Sequence, residues 1–211
     1  MEVAGHSLAL VRPESSESLI SEADFERDER LPYWAELWPS ALILARQVAT
    51  LDGSGRSLLE LGCGVGLVSA AASRAGFDVT ATDYYADALL FTTLNVARNS
   101  GREPVTRDLD WRAIPDDLGR FDVIVASDVL YERQYPSLIA NVLARALAPT
   151  GVALIADPGR VAAPDLAVEC TARSLTVRGR ARIAFADGEI RQTIDIVTIG
   201  WDHPLHGRTE R

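Results

Sequence analysis

The sequence predicts an α/β fold, with a doubly wound and mostly parallel seven-stranded sheet that ends in an antiparallel hairpin. From residue 57 onward, short apolar runs alternate with segments whose apolar residues recur at helical spacing. After residue 173 the pattern changes to two β-rich runs that flank a turn. Alternating strands and helices followed by a hairpin are typical of a doubly wound sheet. In such a sheet the ligand lies beyond the carboxyl ends of the strands, so the residues that follow each strand are the candidates for function.

The elements before residue 102 begin with a helix near 39–51, in which Pro39 can occupy the first turn. A strand over 57–61 ends in glycines, and a second strand covers 78–82. Each strand is followed by a helix with a stripe of residues at helical spacing. The first stripe consists of Leu67, Val68, Ala71, Ala72 and Ala75. The second stripe consists of Leu89, Leu90, Thr93, Leu94 and Ala97. This second helix is expected to end around 99–101.

Three further strands are predicted, over residues 104–109, 121–127 and 152–156. A helix begins at Pro136 after the second of them, and a short helix covers 164–173 after the third. The closing hairpin consists of β-rich runs at about 174–185 and 189–200, which a turn at 186–188 connects.

The length of 211 residues fits one domain with a sizeable core. Residues 1–30 are predicted to be a polar, acidic and loosely ordered segment, residues 31–205 the domain, and residues 206–211 a tail. No apolar stretch approaches the roughly 20 residues that a membrane-spanning helix needs, so no membrane partner is expected. Two cysteines provide no disulfide framework, which favours a reducing cytoplasm. Nothing in the pattern indicates an oligomeric state.

The composition argues against a nucleic-acid partner. The net charge is −9, from 21 basic and 30 acidic residues, whereas affinity for nucleic acid comes largely from basic side chains that neutralise phosphates. All 21 basic residues are arginines, so the chain has no lysine side chain. The three histidines, His6, His203 and His206, lie near the ends of the sequence. Because none follows a predicted strand, neither a histidine-dependent nucleophile nor a metal cluster is expected.

Three alternate glycines stand between the first strand and helix of the α/β region, in the segment Glu60-Leu61-Gly62-Cys63-Gly64-Val65-Gly66. Glycines let the backbone turn sharply and approach a ligand closely, and the following helix offers free N–H groups. A tight turn without a ligand is the alternative. A dinucleotide fingerprint needs Gly-x-Gly-x-x-Gly, and here Leu67 takes the place of the third glycine. The spacing therefore favours a ligand without a pyrophosphate and argues against a dinucleotide oxidoreductase.

Asp83 closes the next strand, where a carboxylate can accept hydrogen bonds from both ribose hydroxyls of an adenosine. Its alternative role is to cap the helix that follows. Tyr84 either packs on the adenine or is a surface tyrosine. Cys63 lies in the glycine segment, where its backbone matters more than its thiol, so it is a poor candidate for a nucleophile.

The glycine segment followed by Asp83 resembles the cofactor-binding core of the seven-strand, Rossmann-like methyltransferases, which bind S-adenosylmethionine. Three further segments are similar to the protein-lysine methyltransferase branch, which includes the lysine methyltransferase of the electron-transfer flavoprotein β-subunit. These segments are Pro32-Tyr33-Trp34-Ala35-Glu36-Leu37-Trp38-Pro39, Ser127-Asp128-Val129-Leu130-Tyr131-Glu132 and Asp157-Pro158-Gly159-Arg160. The resemblance covers about residues 30–200.

The resemblance implies a set of cofactor contacts. They come from Trp38, Gly62, Cys63, Gly64, Asp83, Trp111 and Ser127. Glu60 and Gly66, at the two ends of the glycine segment, complete the set of expected cofactor residues. Trp38 would cover the cofactor, and Trp111 would lie beside the adenine. Asp110 would accept a hydrogen bond from the amino group of the adenine. Each tryptophan can equally be a core side chain.

Asp128 and Tyr131, after the strand over 121–127, are the catalytic candidates. Methyl transfer from a sulfonium moves positive charge toward the acceptor, which a carboxylate stabilises and a phenol oxygen can help to orient. A lysine acceptor must first lose a proton, because its reference pKa is about 10.4. The alternative is that Asp128 caps its loop and Tyr131 only packs. Arg160 either meets an acidic part of the substrate or holds its own loop, and the alternative is a surface arginine in a simple turn.

The sequence therefore predicts an S-adenosylmethionine-dependent N-methyltransferase whose acceptor is a lysine of a protein. A small-molecule amine of the nicotinamide type is the alternative acceptor. A non-catalytic module that keeps the fold and the cofactor is the alternative from another functional class.

Overall fold

A computed structural model describes residues 1–14, 19 and 32–203. The strands are β1 (Glu2–Val3), β2 (His6–Ser7), β3 (Ser57–Leu61), β4 (Asp78–Asp83), β5 (Val105–Asp108), β6 (Phe121–Ser127), β7 (Leu147–Asp157), β8 (Leu175–Asp187) and β9 (Ile190–Trp201). The α-helices are α1 (Pro39–Val48), α2 (Leu67–Arg74), α3 (Ala86–Ser100), α4 (Tyr135–Ala146) and α5 (Asp165–Thr171). A single turn of 3₁₀ helix covers Tyr33–Ala35.

The main sheet has seven strands in the order β5-β4-β3-β6-β7-β9-β8, which confirms the predicted fold class. The five strands from β5 to β7 are parallel, whereas β9 pairs antiparallel with both β7 and β8. The chain order reverses between β3 and β6, so the carboxyl ends of these two strands flank the switch point of the sheet. Asp187 and Ile190 pair across the tip of the closing hairpin, which leaves a two-residue turn close to the predicted one.

The core lies on both faces of this sheet because side chains alternate along each strand. Leu58 of β3 packs with α1 and α2 on one face. Leu59 and Leu61 point the other way and pack with α4 and α5. Within the part of the chain that the structure describes, no helix has the length and apolar character needed to cross a membrane.

The predicted stripe of α3 is wrong at two of its five positions, whereas Leu89 packs against the core as expected. Leu90 and Leu94 are exposed, and the buried face carries Thr92 and Asn95 beside two apolar residues. The reason is hydrogen bonding: the Asn95 amide donates to the backbone oxygens of Val11 and Val65 and accepts from the Val11 N–H. This polar face therefore holds the glycine segment and the N-terminal chain against the domain.

The start of the chain is more ordered than its composition predicts. β1 and β2 form an antiparallel hairpin, and Val3 and Leu8 are buried against α1 and α2. The rest of the acidic segment, at 15–18 and 20–31, lies outside the described residues, as does the predicted tail with His206.

Candidate functional site

A cavity of about 460 Å³ opens at the carboxyl ends of β3, β4 and β6. Its floor is the segment that links β3 to α2, and its cover includes Tyr33 and Trp38 from the chain before α1. This is the edge of the sheet at which the sequence predicts a ligand. Twelve of the thirteen predicted site residues line it, in agreement with the topological argument. They are Trp38, Glu60, Gly62, Cys63, Gly64, Asp83, Tyr84, Asp110, Trp111, Ser127, Asp128 and Tyr131.

The three glycines of the floor all adopt left-handed backbone conformations, with φ of 68° at Gly62, 53° at Gly64 and 80° at Gly66. A Cβ on Gly64 would lie 2.8 Å from the backbone oxygen of Trp34, so only glycine lets the cover approach the floor. Gly66 is the predicted residue that stands outside the cavity lining. A Cβ there would lie 2.7 Å from Cα of Thr92, so Gly66 serves the packing of α3 rather than contact with the cavity.

Asp83 joins the end of β4 to the floor. Its Oδ2 accepts the N–H of Gly64 at 2.9 Å, and its Oδ1 accepts the N–H of Tyr85 at 3.1 Å. The N-cap of α3 is Tyr85, with no side-chain cap bond, so the capping alternative for Asp83 is wrong. Burial raises the pKa of Asp83 and the N–H bonds oppose that rise. Asp83 therefore anchors the floor through the N–H groups that its two oxygens accept, and its side chain also lines the cavity.

Glu60 lies deeper, with its side chain buried and accepting a hydrogen bond from the hydroxyl of Ser69 in α2. Burial raises the pKa of Glu60 to about 8, against the lowering effect of that hydrogen bond. The neutral form of Glu60 is therefore favoured more than in an exposed glutamate. Its burial beside Asp83 makes the cavity floor less negative than a count of its carboxyl groups suggests.

Cys63 is buried, and its Sγ lies 3.2 Å from the Thr92 hydroxyl. Burial, together with the neighbouring carboxylates Asp83 and Glu60, raises the pKa of the thiol well above its usual value. A thiol that does not ionise is a poor nucleophile. The prediction that its backbone matters more than its sulfur fits this environment.

An aromatic and charged wall follows β5. Asp110 accepts from Arg112, with Nε 2.8 Å from Oδ1 and Nη2 2.8 Å from Oδ2. The same guanidinium lies 5.8 Å from the ring centre of Tyr84. Trp111 contacts the ring of Tyr135 edge to face, with ring centres 5.4 Å apart. Arg112 and Tyr135 were not predicted, and their cavity positions are recognisable only once the strand ends are brought together.

The other wall follows β6 and contains the catalytic candidates. Asp128 is buried and has a left-handed backbone, with φ of 58°, which is uncommon outside glycine and often marks functional positions. Tyr131 is about two-fifths exposed, and its ring meets Tyr33 at 6.0 Å and Tyr135 at 4.9 Å, both edge to face. These rings form an apolar rim beside the carboxylate.

Arg160 connects this wall to the cover. Its Nε and Nη2 donate to Oδ1 of Asp128 at 3.1 and 2.9 Å, and its guanidinium lies 5.0 Å from the ring centre of Trp38. Trp38 is also the N-cap of α1 and donates from Nε1 to the backbone oxygen of Tyr33. Of the possibilities that the sequence leaves open for Arg160, its contacts support the role of holding its loop against the site.

The cavity fits S-adenosylmethionine better than a pyrophosphate coenzyme. Its volume lies within the roughly 300–1,000 Å³ of small-molecule sites, and aromatic rings supply flat surfaces for an adenine. Among the described residues that line it, Arg112 alone is basic and is paired with Asp110. Asp83 and Glu132 also line it, and Asp128 there is paired with Arg160, so acidic groups outnumber basic ones around the cavity, which suits a sulfonium cation and disfavours a pyrophosphate.

Comparison with known proteins supports this assignment. A methyltransferase-domain family model matches residues 27–192. The chain is similar to the protein N-lysine methyltransferase METTL21A of Danio rerio, at 34% identity over 120 residues, which is 53% of this chain and 55% of the relative. It is also similar to the electron transfer flavoprotein beta subunit lysine methyltransferase of Xenopus laevis, at 33% identity over 138 residues, which is 61% of this chain and 53% of the relative. The chain thus spans about half the length of the curated relatives it matches.

A solved structure shares the fold at lower sequence identity. A TehB-like SAM-dependent methyltransferase from Corynebacterium glutamicum superposes with a TM-score of 0.61 at 17% identity, over 85% of this chain and 97% of that one. The family match, the sheet order and the cavity agree with one another. The chain belongs to the methyltransferase-domain family.

Proposed function

We propose that this chain is an S-adenosylmethionine-dependent protein methyltransferase that transfers methyl groups to the side-chain nitrogen of lysine. The observation that carries the proposal is that Asp128 and Tyr131 line the same cavity as the glycine floor and Asp83. Two relatives named as lysine methyltransferases support the choice of acceptor. The two buried, free thiols of Cys63 and Cys170 support a reducing cytoplasm as its compartment.

The cofactor, when bound, supplies a methyl group on a sulfonium. Gly62 and Gly64 would let the floor approach it closely, and Asp83 would accept hydrogen bonds from its ribose hydroxyls. Trp111 and Tyr84 line the same cavity and would lie beside the adenine. The remaining proposed cofactor contacts also line the cavity, and they are Trp38, Glu60, Cys63, Asp110 and Ser127. Because Asp110 is paired with Arg112, the pair rather than Asp110 alone would meet the adenine edge.

Asp128 and Tyr131 act on the acceptor nitrogen. A lysine ammonium has a reference pKa of about 10.4 and must lose a proton to solvent water before its lone pair can attack the methyl carbon. Asp128 holds that nitrogen and stabilises the positive charge that develops on it, while the phenol of Tyr131 orients the lone pair. The rings of Tyr33 and Tyr135 beside Tyr131 exclude water from the aliphatic part of the lysine.

The proposal is tested by incubating the purified chain with methyl-labelled S-adenosylmethionine and cell extract, followed by mass spectrometry of labelled bands. We expect label on lysine residues of extract protein. Because the chain has no lysine, label on its own side chains would contradict lysine specificity. Label that enters only small molecules would support the alternative acceptor, and absence of transfer despite cofactor binding would support a non-catalytic module.

Asp128→Asn separates catalysis from cofactor binding. We expect it to lower turnover about 100-fold, the order seen when a transition-state contact is removed, while the cofactor Kd stays within about threefold. Asp116→Asn is the matched control, because Asp116 is an exposed carboxylate in an ion pair with Arg145. An equal loss of cofactor binding and turnover in Asp128→Asn would contradict the assigned role.

A further inference from the structure

The loop after β7 is held in place by its first residue. Oδ1 of Asp157 accepts the N–H groups of Gly159 and Arg160, at 2.7 and 2.6 Å. Gly159 has a φ of 91°, which turns the chain sharply back toward the sheet. The backbone of Arg160 is therefore fixed next to the carboxyl end of β6, independently of its side chain.

The side chain of Arg160 makes two contacts that together constrain its guanidinium. Nε and Nη2 both donate to one oxygen of Asp128, Oδ1, while the flat face lies 5.0 Å from the ring centre of Trp38. An arginine can satisfy both partners at once because its donors lie in the guanidinium plane and its face remains available for stacking. A lysine in this position could supply the charge but not the same fork.

The second oxygen of Asp128 is in a different situation. The side chain of Asp128 is 5% exposed, and Oδ2 has no hydrogen-bond partner among the described residues. A buried carboxylate oxygen without a partner is costly in a protein interior and marks a position at which a ligand group is expected. Its backbone is held as well, since the N–H of Asp128 donates to the oxygen of Ala156 in β7.

Arg160 forms an ion pair with Asp128, although a second carboxyl group lies nearby. Asp157 is the other carboxyl group at this point, and burial raises its pKa despite the two N–H bonds that it accepts. The guanidinium of Arg160 forms its ion pair with Asp128, at 2.9 Å, and its charge also acts on the pKa of Asp157.

We propose that Arg160 is a positioning residue of the acceptor site, which holds Oδ1 of Asp128 and thereby presents Oδ2 to the acceptor nitrogen. This inference rests on the proposed function, because it takes Asp128 as the residue that meets the acceptor. Without Arg160, the carboxylate can rotate about its terminal bond and loses its counter-charge. The acceptor nitrogen then loses its fixed partner, and a misplacement of about 1 Å can lower a rate by about 100-fold.

The test compares Arg160→Gln in the wild-type and Asp128→Asn backgrounds. In the wild-type background we expect kcat to fall about 10- to 100-fold with the cofactor Kd within about threefold. In the Asp128→Asn background the same change should alter kcat by less than about threefold, because a residue that acts through Asp128 has nothing left to position. Arg160→Lys should recover part of the lost kcat. Equal fold losses in both backgrounds, or a matching loss of cofactor affinity, would overturn the inference.

A second measurement does not depend on activity. Removing the counter-charge of a buried carboxylate destabilises the fold, so Arg160→Gln should lower the Tm by about 4–8 °C, and by less than half of that in the Asp128→Asn background. Arg102→Gln is the control, because Arg102 pairs with the exposed Asp78 at the opposite end of β4. Equal Tm losses in the two backgrounds would refute the pairing. If the wild-type chain methylates nothing, the proposed function fails, whereas the Tm comparison still decides whether Arg160 acts on Asp128.

Discussion

Replacement of Asp83 by asparagine tests the link between the cavity floor and the cofactor. The carboxylate accepts one N–H at each oxygen, from Gly64 at 2.9 Å and from Tyr85 at 3.1 Å. An amide has one acceptor and one donor group, so the new side chain leaves a backbone N–H facing its NH₂ group in either orientation. We expect the unmatched donor to cost about 1–3 kcal/mol of stability.

The same substitution weakens the proposed contact with the ribose. A hydrogen bond to a charged acceptor contributes about 1.5–3 kcal/mol, and 1.4 kcal/mol corresponds to a factor of ten in Kd, so we expect the cofactor Kd to rise about 10- to 150-fold. Isothermal titration calorimetry measures the Kd, and urea unfolding measures the stability. Asp108→Asn is the matched control, because Asp108 is an exposed carboxylate that pairs in register with Asp83 on the next strand.

Two results would refute this reasoning. If Asp83→Asn lowered stability but left the cofactor Kd unchanged, Asp83 would be a structural support of the floor without a part in binding. If Asp108→Asn weakened binding as much as Asp83→Asn, the effect would come from the general field of the carboxylates rather than from a specific contact.

Three further predictions test the fold around the site. Gly64→Ala should lower the free energy of unfolding in urea by about 1–3 kcal/mol, which is more than Gly55→Ala should. Both glycines have a positive φ, but only at Gly64 would the added Cβ lie 2.8 Å from a backbone oxygen. Equal losses would mean that the close approach is not tight in solution. On α3, Val96→Ala should cost about 2 kcal/mol and Leu90→Ala less than about 0.5 kcal/mol, because Val96 is buried and Leu90 is exposed; the reverse order would restore the predicted stripe. Glu60 has a pKa of about 8 when folded and an ordinary value of 4.5, so the folded state binds more protons between these values. Its contribution to stability is present in full below about pH 4.5, declines as the pH rises and is lost above about pH 8. Glu60→Gln should therefore flatten the dependence of stability on pH between these values. An unchanged slope would show that Glu60 does not titrate there.

The sequence predicts best the elements that follow a single spacing rule. The strand over 121–127 coincides with β6 residue for residue, because most of its side chains are apolar and buried on both faces. The helix begins at Pro39 as predicted but ends at Val48, three residues before the predicted end. Ends of helices depend on tertiary contacts, which local spacing does not encode.

The polar contacts inside the fold could not be predicted in this way. Hydropathy selected Leu90 and Leu94 for the inner face of α3, whereas Thr92 and Asn95 occupy it because their polar atoms bind backbone groups of distant segments. The hairpin of β1 and β2 has strands of two residues each, which is too short for alternation to be recognised.

The candidate site also contains residues that follow from local spacing and contacts that depend on distant segments. Residues at strand ends, such as Asp83 and Asp128, were predictable because the carboxyl ends of parallel strands meet at one edge of the sheet. The pairing of Arg160 with Asp128 joins loops 32 residues apart in sequence and depends on how closely those loops approach. The same holds for the rings that surround Tyr131.

The most direct test of the central claim is calorimetric titration of the wild-type chain with S-adenosylmethionine and, separately, with a nicotinamide dinucleotide. The acidic cavity and its glycine floor predict binding of the sulfonium at one site with a Kd in the micromolar range, and no binding of the dinucleotide. Binding of the dinucleotide in preference to S-adenosylmethionine, or no binding of S-adenosylmethionine at all, would contradict it.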